Sequence, residues 1–258
     1  MQQVSDIDYR VNISPSTFRI VKKYIIYISG LYFVALGVAM ILLSGLGSSP
    51  ISSWAYVMSL NTPLSVGSYS FLMNVFLIIG QYLVLRHHGL KKELLNIGLQ
   101  IPFSFLFGAF IDMNMYLLGQ CITPESVSAF VGLDSASYLV QLVYLLTGIG
   151  ILSIGVLLEV RPQVTMMSGE AFVFYVSRRW KKEFGKVKIW FDCSLVVLAI
   201  VFAVGFALTG GRSITNDILA VAREGTILTA ILTGYFVKIL SHHTQRLDKW
   251  LREDLARK

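Results

Sequence analysis

Apolar residues along this chain fall into blocks of two lengths. Six blocks approach or reach the roughly 20 residues that a bilayer-crossing helix needs: Tyr24–Ser44, about Val66–Leu85, about Leu94–Leu118, Tyr138–Leu158, about Val187–Leu208 and about Gly225–Leu240. Two blocks, Pro50–Leu60 and about Met167–Val176, are too short. A helix over Pro50–Leu60 would reach roughly 16 Å, about half the hydrocarbon core. The pattern predicts an all-α polytopic membrane protein with six transmembrane helices and two re-entrant half-helices.

The polar stretches between the blocks divide the chain. Residues 1–23 form an N-terminal arm with Arg10, Arg19, Lys22 and Lys23 beside the first span; 24–118 and 138–241 each hold three spans and one short piece. An outer loop at 119–137 separates them, and a basic amphipathic tail at 242–258 ends the chain. The first short piece follows Gly45-Leu46-Gly47-Ser48-Ser49-Pro50. There Ser48 or Ser49 can cap a helix, Pro50 fits its first turn, and the glycines allow a tight reversal. Pro102 marks a kink in the third span.

Composition agrees with the blocks: 55% of residues are hydrophobic and only 14% charged, against about a quarter charged in soluble domains. The net charge of +7 invites a nucleic-acid partner, but the basic residues lie in the gaps between spans, where topology needs them. With the N-terminus inside and six crossings, the inner segments hold twenty of the 22 Lys and Arg, and the outer ones only Arg212 and Arg223. Both ends are therefore expected in the cytosol. A full crossing by Ile51–Leu60 would throw Arg86, Lys91 and Lys92 outside, so each short piece is expected to return to the side it left. The tail, with Arg246, Lys249, Trp250, Leu251 and Arg252, suits anionic lipid headgroups. The sequon Asn12-Ile13-Ser14 falls on the cytosolic side and is discounted.

Three crossings per half make any repeat an inverted one. At an offset of 118, Gly30 falls on Gly148, Gly37 on Gly155, Gly67 on Gly185, Asn74 on Asp192 and Pro50 on Ser168. With a small shift, Gly108–Asp112 falls on Gly234–Lys238. Paired inverted repeats with interrupted segments are the architecture of many secondary transporters.

The Gly-Leu-Gly-Ser-Ser-Pro turn after a glycine-rich first span, with Gly225-Thr226-Ile227-Leu228 leading to Gly234 in the last, resembles the YczE/YyaS/YitT family. The resemblance runs from the first span to the sixth. It implies a bacterial integral protein of the cytoplasmic membrane with a transport-like role, and it implies no substrate.

Ionisable groups at bilayer depth are costly, so each is a functional candidate. Glu170 stands in the first turn of the second short helix, where the dipole favours a carboxylate; a plain cap at the cytosolic surface is the competing role. Asn74 and Asp192 could meet across the halves at a polar solute, or simply join two helices. Asp112 lies near the outer end of its span, and Lys238 is explained by snorkelling. Glu159 and Arg161 are expected to pair at the interface. Helix N-termini in transporters tend to face a substrate, which adds Gly47, Ser48, Ser49, Pro50 and Ser52 at the first short helix, and Thr165, Ser168 and Gly169 at the second.

No metal site is expected from His87-His88 and His242-His243, since adjacent residues on a helix point apart, and Cys121 and Cys193 cannot form one alone. No HExxH, GxSxG or Walker loop supports an enzyme, and no cofactor is expected. The expected function is secondary transport of a small polar solute, favouring an anionic one, bound between the two half-helix N-termini. A channel or passive facilitator, and a non-transporting accessory protein, are the alternatives; a homo-oligomer is left open.

Overall fold

A computed structural model describes residues 17–86, 90–130, 138–209, 218 and 221–243. Arg10, the Asn12 sequon, His87, His88, Asp134, Arg212 and the tail beyond residue 243 lie outside the described residues, as do the side chains of His242 and His243. Among the described residues all regular structure is helical. The helices are α1 (Thr17–Leu43), α2 (Pro50–Asn61), α3 (Val66–Leu85), α4 (Leu90–Cys121), α5 (Pro124–Phe130), α6 (Tyr138–Val160), α7 (Ser168–Arg179), α8 (Phe184–Leu208) and α9 (Glu224–His243).

Five helical stretches among the described residues are long and apolar enough to cross a membrane: Ile20–Leu43, Val66–Leu85, Glu93–Phe130, Tyr138–Val160 and Phe184–Leu208. The chain is therefore a multi-pass α-helical membrane protein. α9 does not reach that mark, because Glu224, Lys238 and a closing His-His pair dilute its apolar run.

α1 and α6 form the centre. Glycines let their backbones touch, the usual means of helix association where lipid removes the hydrophobic drive. A methyl group on Gly30 would strike Gly155 O and the Leu158–Glu159 peptide, and one on Gly37 would strike Gly148 O and Leu152. The pairs 30/155 and 37/148 run in opposite directions along the chain, so the two helices pack antiparallel. α4 lies on α1 and α9 on α6. Each short helix crosses to the other half, α2 packing on α8 and α7 on α3, while also touching the long helix that follows it. One pairing has no counterpart. Gly67 and Gly108 meet backbone to backbone between α3 and α4, whereas Gly185 and Gly234 both face open space.

The turn before α2 owes its path to two left-handed glycines, Gly45 at φ 71° and Gly47 at φ 135°, a region that side chains avoid. Gly47 also leaves room for Thr226, whose Oγ1 would lie 2.6 Å from an added Cβ. Ser49 is extended and Pro50 opens the helix, as the capping rules require. The turn is clamped to the start of α9: Gly225 N–H donates to Leu46 O (2.9 Å), Ser48 N–H to Thr226 Oγ1 (3.1 Å) and Arg223 Nη1 to Gly45 O (2.9 Å).

Candidate functional site

α3 serves as a ruler for both short helices. From the level of Asn74, α7 runs with α3 to its C-terminus: Ser168 meets Asn74, Phe172 covers Gly80, and Arg179 Nη1 donates to Val84 O at 2.8 Å. α2 runs the other way, its Trp54 ring 5.7 Å from that of Tyr69 and Thr62 Oγ1 2.6 Å from Tyr69 Oη. The two N-terminal tips abut near Asn74, with Ile51 Cδ1 filling the space where Gly169 has no side chain. The positive ends of two helix dipoles thus converge at mid-height of α3.

Around these tips the polar groups are buried and mostly satisfied. Ser168 Oγ donates to Asn74 Oδ1 at 2.7 Å, and Asn74 is only 3% exposed. Gln81 Nε2 donates to Ser168 O (3.0 Å) and to Gln100 Oε1 (2.8 Å), while Gln100 Nε2 returns a bond to Gln81 Oε1 (3.0 Å). On α2, Ser48 Oγ pairs with Ser53 Oγ at 2.8 Å and Ser49 Oγ with Ser52 Oγ at 2.7 Å. Ile51, Ser52, Ser70, Asn74 and neighbouring apolar side chains line a cavity of about 20 Å³, room for about one water.

A second polar group lies on the other side of the α7 tip. Glu170, partly buried in its first turn, feels the charges of Lys188 and Asp192 on α8, and Glu159 feels that of Glu170. Lys188 Nζ and Asp192 Oδ1 pair at 2.7 Å. Glu159 is buried and accepts the Met167 backbone N–H. Its Oε1 has no partner, so the expected interfacial pair with Arg161 is not formed. The cause is packing: α6 continues to Val160, and Gly30 brings α1 against the Glu159 backbone.

The candidates thus separate into groups. Gly47, Ser48, Ser49, Pro50, Ser52, Asn74, Ser168 and Gly169 gather at the two tips, with Glu170 just behind them. Asp192 sits with Lys188 and does not meet Asn74, which takes Ser168 instead. Thr165 lies on the approach to α7, its Oγ1 donating to Asn96 O at 3.3 Å. Asp112 caps α3, accepting from Gly67 N–H at 2.7 Å and Ser65 Oγ at 2.6 Å. Asp112→Ala should therefore lower the melting temperature by the loss of about 1 kcal/mol of capping; an unchanged melt would show the cap to be idle. Among the described residues no cluster of three or more His, Cys, Asp or Glu could hold a metal ion. Cys121 and Cys193 are free thiols.

Gln81, Gln100 and Tyr27, the last fully buried on α1, were not legible as site residues. A hydroxyl or amide inside an apolar span carries no charge to draw attention, and only the packing shows that they turn inward.

A family model described as "Family of unknown function (DUF6198)" matches residues 21–242. The protein described as "Uncharacterized protein YyaS" of Bacillus subtilis (strain 168) is similar at 29% identity over 127 residues. That match covers 45% of this chain and 60% of the relative, so the chain spans about three fifths of the curated relative's length. No solved structure matches.

Proposed function

The chain belongs to DUF6198, a family of unknown function, and from that premise we propose that it is a secondary transporter of a small polar solute in the bacterial cytoplasmic membrane. The observation that carries this is the meeting of two oppositely directed half-helix tips beside Asn74, in a buried setting of hydroxyls and amides. Short helices ending at mid-membrane, N-termini inward, are how transporters present backbone N–H groups to an anionic group. The cavity holds about one water, so a solute enters when α2 and α7 part.

In this reading α9 is the sixth crossing, both chain ends are cytosolic, and the tail rests on anionic headgroups. The arrangement of basic residues supports that topology. Two pairs of contacts support an inverted repeat. The 30/155 and 37/148 pairs convert into each other when the halves are exchanged, and so do α2 on α8 and α7 on α3. Equivalent helices packed antiparallel, as α1 and α6 are, mean that the relating axis lies across them. Glu170, at the α7 tip and within reach of Lys188 and Asp192, is the group placed to couple an ion gradient to solute movement.

The test is solute flux in proteoliposomes under an imposed proton or sodium gradient, with the solute chosen by a thermal-shift screen of metabolites. Wild type should accumulate it uphill; Glu170→Gln should lose accumulation and keep downhill exchange. Uptake that no gradient drives uphill would indicate a passive facilitator, and no flux of any solute that binds would indicate an accessory protein. Unchanged accumulation in Glu170→Gln would remove that carboxylate from coupling.

A further inference from the structure

Glu159 lies in the last turn of α6 yet is only 4% exposed. Its carboxylate accepts the Met167 backbone N–H, its Oε1 is buried with no hydrogen-bond partner, and among the described residues no cation is paired with it. On α1, one turn before the glycine that packs on Glu159, Tyr27 is 0% exposed and its hydroxyl is also without a partner. The fields of both Glu159 and Glu170 reach that hydroxyl. Two orphaned oxygens from α1 and α6 therefore face a common neighbourhood, and the charge of a further carboxyl, on α7, reaches both.

An uncompensated carboxylate in such a place is strongly disfavoured, and one N–H does not offset it. A single proton satisfies the site with the oxygens as they stand, whereas an alkali cation would need both carboxyls and the phenol drawn in around it. We propose that Glu159 is a proton-binding site, loaded and emptied through Glu170. The groups facing it are Tyr27 from α1, Glu170 from α7, and behind Glu170 the Lys188–Asp192 pair from α8.

Glu159 is buried, whereas Glu170, Lys188 and Asp192 are each partly exposed, the side chains of the last two by 31% and 23%. Release moves the proton from Glu159 Oε1 to the Glu170 carboxylate and on to water past Asp192. The Tyr27 hydroxyl turns to donate to the oxygen left charged. Uptake is the reverse, with no other bond made or broken. Coupling of this proton to solute movement rests on the transport reading above; the protonation itself does not.

Infrared difference spectra between acidic and alkaline pH, on the protein in lipid, test it directly. Wild type should show the carbonyl stretch of a dehydrated carboxylic acid that disappears as pH rises. Glu159→Gln, which keeps shape and neutrality, should lack the band, and Tyr27→Phe should shift it. Glu170→Gln should retain it while slowing its exchange. No such band in wild type, or its persistence in Glu159→Gln, overturns the proposal. A melting temperature raised by sodium over choline in wild type, and not in Glu159→Gln, would assign the site to an alkali cation and equally overturn it. A band that behaves as expected in a protein that moves no solute would leave this site standing and sink the transport reading alone.

Discussion

Gly155→Val is expected to destabilise this protein more than any other single change considered. A Cβ at Gly155 would run into the backbone N of Val34 and lie 2.8 Å from the backbone C of Phe33. Neither is a flexible side-chain end that could swing aside, so α1 and α6 must part along their shared seam. Overpacking of a well-packed interface costs typically 1–3 kcal/mol, occasionally more, and a loss of ~3 kcal/mol would lower the melting temperature by on the order of 10 °C. The same substitution at Gly150, on the same helix with nothing within 4 Å, should leave the melt unchanged. Thermal unfolding in detergent, followed by size-exclusion recovery, compares the two. Equal melts would mean that the glycine seam does not hold the centre together.

Gln81→Leu should follow in size. Gln81 donates to Gln100 and to the Ser168 carbonyl and accepts from Gln100, so its removal strands both ends of one buried amide and takes a second bond from a carbonyl that keeps its place in the α7 ladder. Each stranded group costs about 1–3 kcal/mol in a protein interior. Single hydrogen bonds between membrane helices average nearer 0.6 kcal/mol, so a total of about 2 kcal/mol is the expectation. Gln100→Leu should cost less, because Gln81 keeps Ser168. The double variant should be more stable than the sum of the two singles, since no buried amide is then left unpaired. A double-mutant cycle of melting temperatures reads the coupling directly; simple additivity would show that the reciprocal amide pair contributes nothing.

Much of the fold was legible because block length and capping chemistry agree locally. Ser65 caps α3 and Pro50 opens α2, and those helices begin where the rules place them. Elsewhere the ends moved outward. α1 starts at Thr17, within what reads as a polar arm, and α4 runs from Leu90 to Cys121 with Pro102 inside it. A helix continues into polar sequence when nothing stops it, and hydropathy marks only the apolar part. α5 was missed within 119–137, although Thr123 and Ser126 bond reciprocally at its start and Pro124 opens it.

The geometry of the candidate site was half legible. The tips could be placed, because glycine, serine and proline in that order fix a turn into a helix. The surroundings could not. Glu159 has a basic neighbour two residues on and so reads as an interfacial pair, whereas Gly30, far away in sequence, is what covers it. Asp112 reads as a site candidate, and Asp192 as a partner of Asn74, until their local partners, the start of α3 and Lys188, are seen.

The crossed seating of the short helices also bears on how the chain is made. α2 begins at Pro50, but α8, on which it packs from the other half, begins at Phe184, 134 residues later. At a ribosome's pace of about 5–20 residues per second that is a delay of roughly 7–27 s. Throughout it, newly made α2 lacks the neighbour it will later lean on, although its serines already bond one another within the turn. α7 suffers no such delay, because α3 has long been finished when it emerges. The first half of this protein must therefore be held in the membrane unfinished, and its assembly completes only as the second half leaves the ribosome.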